Sequence, residues 1–504
     1  MVAPQILILL VGVRVPARQP LRKEEAALKR GFFVFFLYCP YAYNFGIIGE
    51  DLSITNGETM YPILPHDVNS PVHPVSAVDY MPVEQLRGLQ LHRLQWTVKY
   101  AYERVPLFRK RCDEKGVKPE HIKTLADIRL LPFMMKTDLR DEYPMGLRGA
   151  SMDEVVRFHC SSGTTGKPIC IPNTMDDVAV WKNSVMRCLA MYGLRAGDVL
   201  QVAYGYGLFT GGLGLHYGGE GLGCAVLPIS GGNTERQIML MRDLGVTTIA
   251  CTPSYFLRII DEAKRQGVDF RRDTKLKHGI FGAEPWTQEM RAVIERETGI
   301  EAHDIYGLTE IAGPGVAGDC SCHSGLHIWE DHFYPEIIDP DTLEPLPDGE
   351  VGELVFTTIS RCGTPMLRYR TRDLTRLKAE KCPCGRTMRV MERISARSDD
   401  MLIIHGVNVF PGQIEAALLR VPEVAPHYQI VLSSSDTLDI FEIKVEVAEE
   451  ALSDNIRHLE DLKRRVLEAV KSIIGLTPKI ILVGPGTLPR SEGKIKRVID
   501  NRRK

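Results

Sequence analysis

"HCSSGTTGKP", residues 159 to 168, sets two glycines among four hydroxylated side chains and closes on a lysine and a proline. A loop with so little side-chain bulk lets backbone N–H groups and hydroxyls converge on one partner rich in acceptor oxygens, and phosphate is such a partner. The common phosphate loop needs Gly, four residues, then Gly-Lys-Ser/Thr. Here Ser161 stands where the first glycine belongs and Pro168 where the Ser/Thr belongs, so this is a different device. Pro168 supplies no N–H and turns Lys167 away from helical geometry, which predicts a loop between two extended segments. A plain Gly/Ser linker has the same composition, so the segments around the loop decide its meaning.

The chain of 504 residues is long enough for two to four domains and a large core. Its 25% charged and 44% hydrophobic residues are ordinary globular values, and a net charge of -2 offers no electrostatic reason to expect nucleic acid or an acidic membrane. Twelve cysteines are too few for a disulfide scaffold. They fit a reducing compartment in which clustered cysteines bind metal. No run reaches the roughly 20 apolar residues of a transmembrane helix. "ILILLVGV" at 6 to 13 has no basic residue before it and no small-residue cleavage site after it. The expectation is a soluble, cytoplasmic protein.

Residues 1–77 differ in character from the rest: "RGFFVFFLYCPYAYNFGIIGE" and "PILPHDVNSPVHPV" carry neither helical nor strand periodicity. They are expected to be an extension without structure, or to precede a start at Met60 or Met81. Helical spacing begins at 82 to 105, where Leu86, Leu89, Leu94, Val98, Ala101 and Val105 recur. From 150 to 360, strand-like runs ("VLQVAYG", "CAVLPIS", "TTIACTP", "HGIFGAE", "EAHDIYG") alternate with helical ones ("TERQIMLMRDLG", "SYFLRIIDEAKRQG", "TQEMRAVIERETG"). That rhythm predicts an α/β domain over 78–396 with mostly parallel sheets flanked by helices, and sites on the loops at the strand carboxyl ends. Residues 397–504 read as two strands, a helix, two strands, a helix and a short strand, a small α+β domain.

Six segments occur in one order: "SSGTTGKP" (161 to 168), "GAEPW" (282 to 286), "DIYGLTE" (304 to 310), "RYRTRDLT" (368 to 375), "ARSDDMLIIHGVNVFP" (396 to 411) and "PRSEGKIKRVID" (489 to 500). In order and spacing they resemble the adenylate-forming acyl-CoA synthetases, and "YGYGLFTGGLGLHYGGE" with "WEDHFYPEIIDP" resembles the phenylacetate-CoA ligase branch. The resemblance covers 78 to 504. It implies a large AMP-binding domain, a small mobile lid domain, and an AMP-forming aryl-CoA ligase. An arylacetate, ATP and CoA would give aryl-CoA, AMP and diphosphate through an acyl adenylate.

Such chemistry needs a pyrophosphate cradle, a magnesium ion, a nucleoside seat and a cation for developing charge. The resemblance implies that Ser161, Ser162, Gly163, Thr164, Thr165, Gly166 and Lys167 form the cradle. Thr165 and Glu310 would contact Mg²⁺, a hard cation that takes oxygen ligands. Ala283, Glu284 and Pro285, with Asp304, Ile305, Tyr306, Gly307 and Thr309, would frame the adenine, and Tyr306 would stack on it. Asp373 would accept from the ribose hydroxyls, although a partnership with Arg370 or Arg372 is the plain alternative. Arg397 would contact the nucleotide, Asp399 would be the hinge, and Lys494 the catalytic lysine, counted with Thr165 and Glu310 as catalytic residues. Tyr204, Phe209, Gly211, Gly212 and Gly282 would line the acyl pocket, the glycines letting a ring approach the backbone.

The cysteines cluster in "DCSCHSGLH" (319 to 327) and "KCPCGR" (381 to 386). Two close cysteines with a distant Cys/His set have the composition of a tetrahedral zinc site. Cys320, His327, Cys382 and Cys384 are the expected ligands of a structural zinc, with Cys322 and His323 as substitutes and free thiols as the alternative. The expected partners are an aromatic carboxylate, ATP and CoA, without nucleic acid or membrane, and a homodimer is the oligomer to test for. Two other functions remain open at this point. One is an adenylating synthetase for another acid or acceptor, like the deazaflavin-modifying synthetases (coenzyme F390 synthetase-like). The other is a zinc-stabilised nucleotide- or nucleic-acid-binding protein without ligase activity.

Overall fold

A computed structural model describes residues 73–161, 168–208, 210–394, 396–398, 402–404, 407–434, 439–448, 456–490 and 496–502. Helix α1 (Val83–Arg104) buries Leu86, Leu94, Val98 and Ala101, and Pro106 opens α2 (Pro106–Glu114) immediately behind it. After α3 (Lys136–Asp141), strands β1 (Val155–Cys160) and β2 (Cys170–Thr174) pair antiparallel, with Cys160 opposite Cys170. The loop that carries the Ser/Thr/Gly run therefore joins two extended segments, as Pro168 predicts. Thr174 then caps α4 (Met175–Met191): its hydroxyl accepts from the Asp177 N–H while the Asp177 carboxylate accepts from the Thr174 N–H.

The βα rhythm produces β3 (Val199–Val202), β4 (Ala225–Leu227), β5 (Thr248–Cys251), β6 (His278–Gly282) and β7 (Glu301–Leu308), all parallel to their neighbours. Helices α5 (Gly211–Leu222), α6 (Thr234–Asp243), α7 (Pro253–Arg265), α8 (Phe270–Asp273) and α9 (Gln288–Thr298) connect them. Beyond β7 the sheet continues antiparallel through β8 (Gly313–Asp319), β9 (Leu326–Ile328) and β13 (Val390–Met391), giving eight strands in the order β13-β9-β8-β7-β6-β5-β3-β4. A second, antiparallel sheet holds β10 (Phe333–Ile338), β11 (Gly352–Thr358), β12 (Tyr369–Thr375) and β14 (Ala396–Arg397).

Periodicity conceals α5. Six of its twelve residues are glycine, the weakest helix former after proline. A Cβ on Gly214 would lie 2.5 Å from the Trp181 ring, and one on Gly218 would lie 2.4 Å from Val185. Both neighbours belong to α4, so the glycines are what lets the two helix backbones approach so closely.

The C-terminal elements have a core of their own. They are β15 (Leu402–Ile404), β16 (Val407–Val409), α10 (Pro411–Leu418), β17 (Val424–Ser434), β18 (Asp439–Val447), α11 (Ile456–Ile474), β19 (Lys479–Val483) and β20 (Val498–Asp500). Leu462, Val466 and Val470, the α11 stripe, are fully buried against Ile430, Ile443 and Val445. Among the described residues no helix is long and apolar enough to cross a membrane.

Candidate active site and cysteine cluster

Strand β6 ends at Gly282, where a Cβ would fall 2.2 Å from the Ile305 carbonyl oxygen of β7. Only glycine fits there, and Ala283 follows in the left-handed region at φ 69. This turn leaves Ala283 and Pro285 exposed at the carboxyl edge of the sheet. The Glu284 carboxylate turns to the head of α7 and accepts from the Ser254 N–H at 2.8 Å. Asp304, also assigned to the adenine slot, holds Arg393 at 2.9 Å. Gly307 answers a second close approach: its Cβ would stand 1.7 Å from the Gly313 carbonyl.

Asp373, on β12 of the second sheet, meets this edge through Tyr306 of β7 and is 6% exposed. The Tyr306 hydroxyl donates to its Oδ2 at 2.6 Å and Arg397 donates to its Oδ1 at 3.0 Å, across the register that sets Asp373 opposite Arg397. Burial, and then the Asp373 charge, push the Tyr306 phenol well above its ordinary value, so it stays a donor. Arg370 and Arg372 are instead held by Glu353, at 2.7 and 3.4 Å. The plain alternative for Asp373 does not describe this structure.

Glu310 is 5% exposed, with Oε1 at 3.2 Å from the Lys136 ammonium. Its backbone carbonyl accepts from Arg361 at 2.9 Å, and the other arm of that buried guanidinium donates to Asn173 on β2 at 2.6 Å. The strand that leaves the Ser/Thr/Gly loop is thus tied to the turn that carries Glu310. Ser161 donates its N–H to Ile169, and its hydroxyl is buried without a partner beside the loop. Ser162, Gly163, Thr164, Thr165, Gly166 and Lys167 lie outside the described residues, as do Phe209, Asp399 and Lys494. Lys136, Asn173 and Arg361 belong to none of the six segments. No local signal marks them: Lys136 stays partly exposed, and asparagine and arginine read as surface residues until a fold buries them.

Two of the glycines expected in the acyl pocket stand at the start of a helix. Gly211 and Gly212 open α5, and the rings that approach them belong to the chain itself: Tyr204 at 3.4 Å from a Gly211 Cβ, and Tyr206 at 3.2 Å from a Gly212 Cβ. Tyr204 is buried, and its hydroxyl donates to the Cys251 carbonyl at 2.6 Å, close to that of Gly282. Tyr206 bonds His216 at 3.2 Å.

The segments that flank Lys494 are anchored on both sides. Arg490 pairs with Glu446 at 2.7 Å, and Arg497 pairs with Glu415 at 3.0 Å while lying over the Tyr428 ring. His427 and Arg490 also reach Asp261 on α7, at 3.1 and 3.7 Å. One carboxylate of the large domain therefore faces a histidine and an arginine of the small one.

Ligand atoms of Cys320, His327, Cys382 and Cys384 all lie within 4.8 Å of one another. The Cys320 and Cys382 sulfurs are 3.5 Å apart, and Cys384 Sγ is 3.2 Å from His327 Nε2. The hydrogen bond between Cys320 and Cys384 pulls the Cys384 thiol down, with help from the His327 imidazole, and pushes the Cys320 thiol up. His327 Nδ1 is buried and makes no hydrogen bond. Cys322 is exposed, and His323 turns to Asp319 at 3.0 Å.

The family models agree with this architecture: one describing an AMP-binding enzyme matches 95–361, and one describing an AMP-binding enzyme C-terminal domain matches 406–502. The chain belongs to the AMP-binding enzymes and, within them, to the phenylacetate-coenzyme A ligase family. It is 50% identical over 440 residues to a phenylacetate-coenzyme A ligase of Thermus thermophilus, covering 84% of this chain and 99% of the relative. Among solved structures, a 2-hydroxyisobutyryl-CoA ligase in the postadenylation state matches with TM-score 0.81 at 27% identity, over 87% of this chain and 94% of that one. The same ligase with CoA in the thioesterification state matches with TM-score 0.62 at 28% identity, over 84% of this chain and 91% of that one.

Proposed function

We propose that the protein joins an arylacetate, phenylacetate first among them, to coenzyme A, using ATP and releasing AMP and diphosphate. The observation that carries this reading is 50% identity to a phenylacetate-coenzyme A ligase over 99% of that enzyme's length. A carboxylate does not react with a thiol at neutral pH, so it is first joined to AMP, a good leaving group. In this reading Ser161 to Lys167 cradle the phosphates, and Thr165 and Glu310 hold Mg²⁺. Lys136 lies beside the Glu310 carboxylate, at 3.2 Å. Asp373 binds the ribose hydroxyls, oriented from either side by Tyr306 and Arg397.

The catalytic domain is taken as 78–396 and the lid as 397–504, with the pivot at Asp399 and Lys494 delivered to the α phosphate. The separate core of the C-terminal elements supports that division. The higher score against the postadenylation form supports reading the described pose as the adenylating side of the cycle. Cys320, His327, Cys382 and Cys384 fit zinc by donor type and spacing. Four protein ligands leave no open position, so such a zinc is structural. The cytoplasm is the compartment this reading assumes.

The test is CoA-dependent AMP formation across a panel of aromatic acids. Phenylacetate is expected to lead. AMP formation that ignores the acid ends the ligase reading, and an acid-dependent burst of about one diphosphate per chain that CoA does not turn into continuous AMP formation transfers it to another acceptor.

A further inference from the structure

We propose that His278, Glu301 and His303 bind a divalent transition metal of the zinc class at the amino-terminal edge of the parallel strands, with ligands separate from the cysteine cluster. The parallel register of β6 and β7 sets His278 opposite Glu301 and Ile280 opposite His303. Alternate residues of a strand share a face, so all three side chains leave the sheet on one side. His278 Nδ1 and His303 Nε2 are 3.2 Å apart, and Glu301 Oε2 is 3.8 Å from the first and 3.9 Å from the second. Ligands about 2.0–2.1 Å from a tetrahedral zinc stand about 3.4 Å from each other. A small closure of the carboxylate completes the triangle.

The groups behind the ligands point the same way. His303 is 1% exposed and its ring stacks on Tyr192 at 4.5 Å, which fixes its plane. Its Nδ1 makes no hydrogen bond and faces Asp319 Oδ1 at 3.8 Å. A ring nitrogen turned to a carboxylate keeps the proton and leaves the Nε2 lone pair for a metal, the carboxylate–histidine–metal arrangement. Asp319 is in turn held by the Asp304 N–H and by Arg291. His323 Nε2 stands 3.5 Å from Glu301 Oε1 and steadies the oxygen that does not face the histidines. Two neutral imidazoles and one carboxylate suit a 2+ ion. Glu301, 40% exposed, opens the remaining coordination position to water. Three protein ligands and one open position describe an exchangeable site, filled and emptied as metal supply changes.

Cobalt(II) is the probe, titrated into chelator-treated full-length protein and read by absorption and by stoichiometry. The wild type is expected to bind one cobalt with sulfur-to-metal charge transfer, from the cysteine cluster, and a second without it. Glu301→Gln and the His278→Ala/Glu301→Gln pair should lose the second cobalt. His323→Ala should weaken it by roughly tenfold to a hundredfold. The Cys382→Ser/Cys384→Ser variant should keep it, which separates this site from the proposed cysteine-bound zinc. Glu301 is partly exposed, so Glu301→Gln decides the matter even if His278→Ala fails to fold. Absence of a sulfur-free cobalt in the wild type, or its persistence in folded Glu301→Gln at wild-type affinity, overturns the proposal.

Discussion

Asp373 accepts from Tyr306 on one carboxylate oxygen and from Arg397 on the other, and in the proposed role the same negative charge also accepts from the ribose hydroxyls. Asp373→Asn keeps the shape and removes the charge that strengthens such bonds. Hydrogen bonds to a charged group contribute about 1.5–3 kcal/mol, so KM for ATP should rise roughly tenfold to a hundredfold while KM for the acid stays near its starting value. Steady-state kinetics with each substrate varied in turn checks this. A rise confined to the acid would remove the ribose role.

At the scale of elements, two competing effects decide the outcome of Gly218→Ala in α5. Alanine is the better helix former by about 0.8–1 kcal/mol. Its Cβ, however, would sit 2.4 Å from Val185 Cγ1 and 2.8 Å from Val185 Cβ. Overpacking of this kind costs typically about 1–3 kcal/mol, and a β-branched neighbour yields little, so the net change should be a loss of about 1 kcal/mol, at most about 2. Urea unfolding measures it, and Val185→Ala in the same chain should recover part of the loss.

The same helix shows why the fold is only partly legible in sequence. β3, β5, β6 and β7 announce themselves as apolar runs between turn residues, and the α11 stripe repeats at helical spacing. α5 reads as a loop because its glycines serve the neighbouring helix. β8, "GPGVAGD", hides for the same reason. Candidate site residues such as Tyr306, Asp373 and Arg397 can be picked out because their segments keep an order along the chain. Lys136, Asn173 and Arg361 acquire meaning only when the fold brings them beside Glu310. The cysteine cluster stands between these cases, with ligands legible by type and a geometry set by β9 and the loop between β12 and β13. Cys382→Ser/Cys384→Ser should lose about one zinc per chain together with thermal stability, as metal analysis and melting will show.

Over the whole molecule, the proposed cycle separates two half-reactions by domain rotation. Lys494→Ala should slow acyl-adenylate formation by roughly 10²- to 10³-fold and leave CoA attack on a supplied acyl adenylate nearly unchanged. Single-turnover measurement of each step checks it. Equal damage to both steps would assign the lysine to folding or general binding and end the two-pose mechanism. Asp261→Ala should act in a milder way. Asp261 is 52% exposed, so its contacts with His427 and Arg490 are worth at most about 1 kcal/mol. The ratio of the two half-reaction rates should shift by no more than about fivefold, against adenylation.

That exposed carboxylate has a further consequence at the bench. Salt screens such contacts over a Debye length of about 8 Å near physiological ionic strength and about 3 Å at 1 M. Raising the salt of an assay should therefore move the balance of the two half-reactions in the same direction as Asp261→Ala, and by no more than that substitution does.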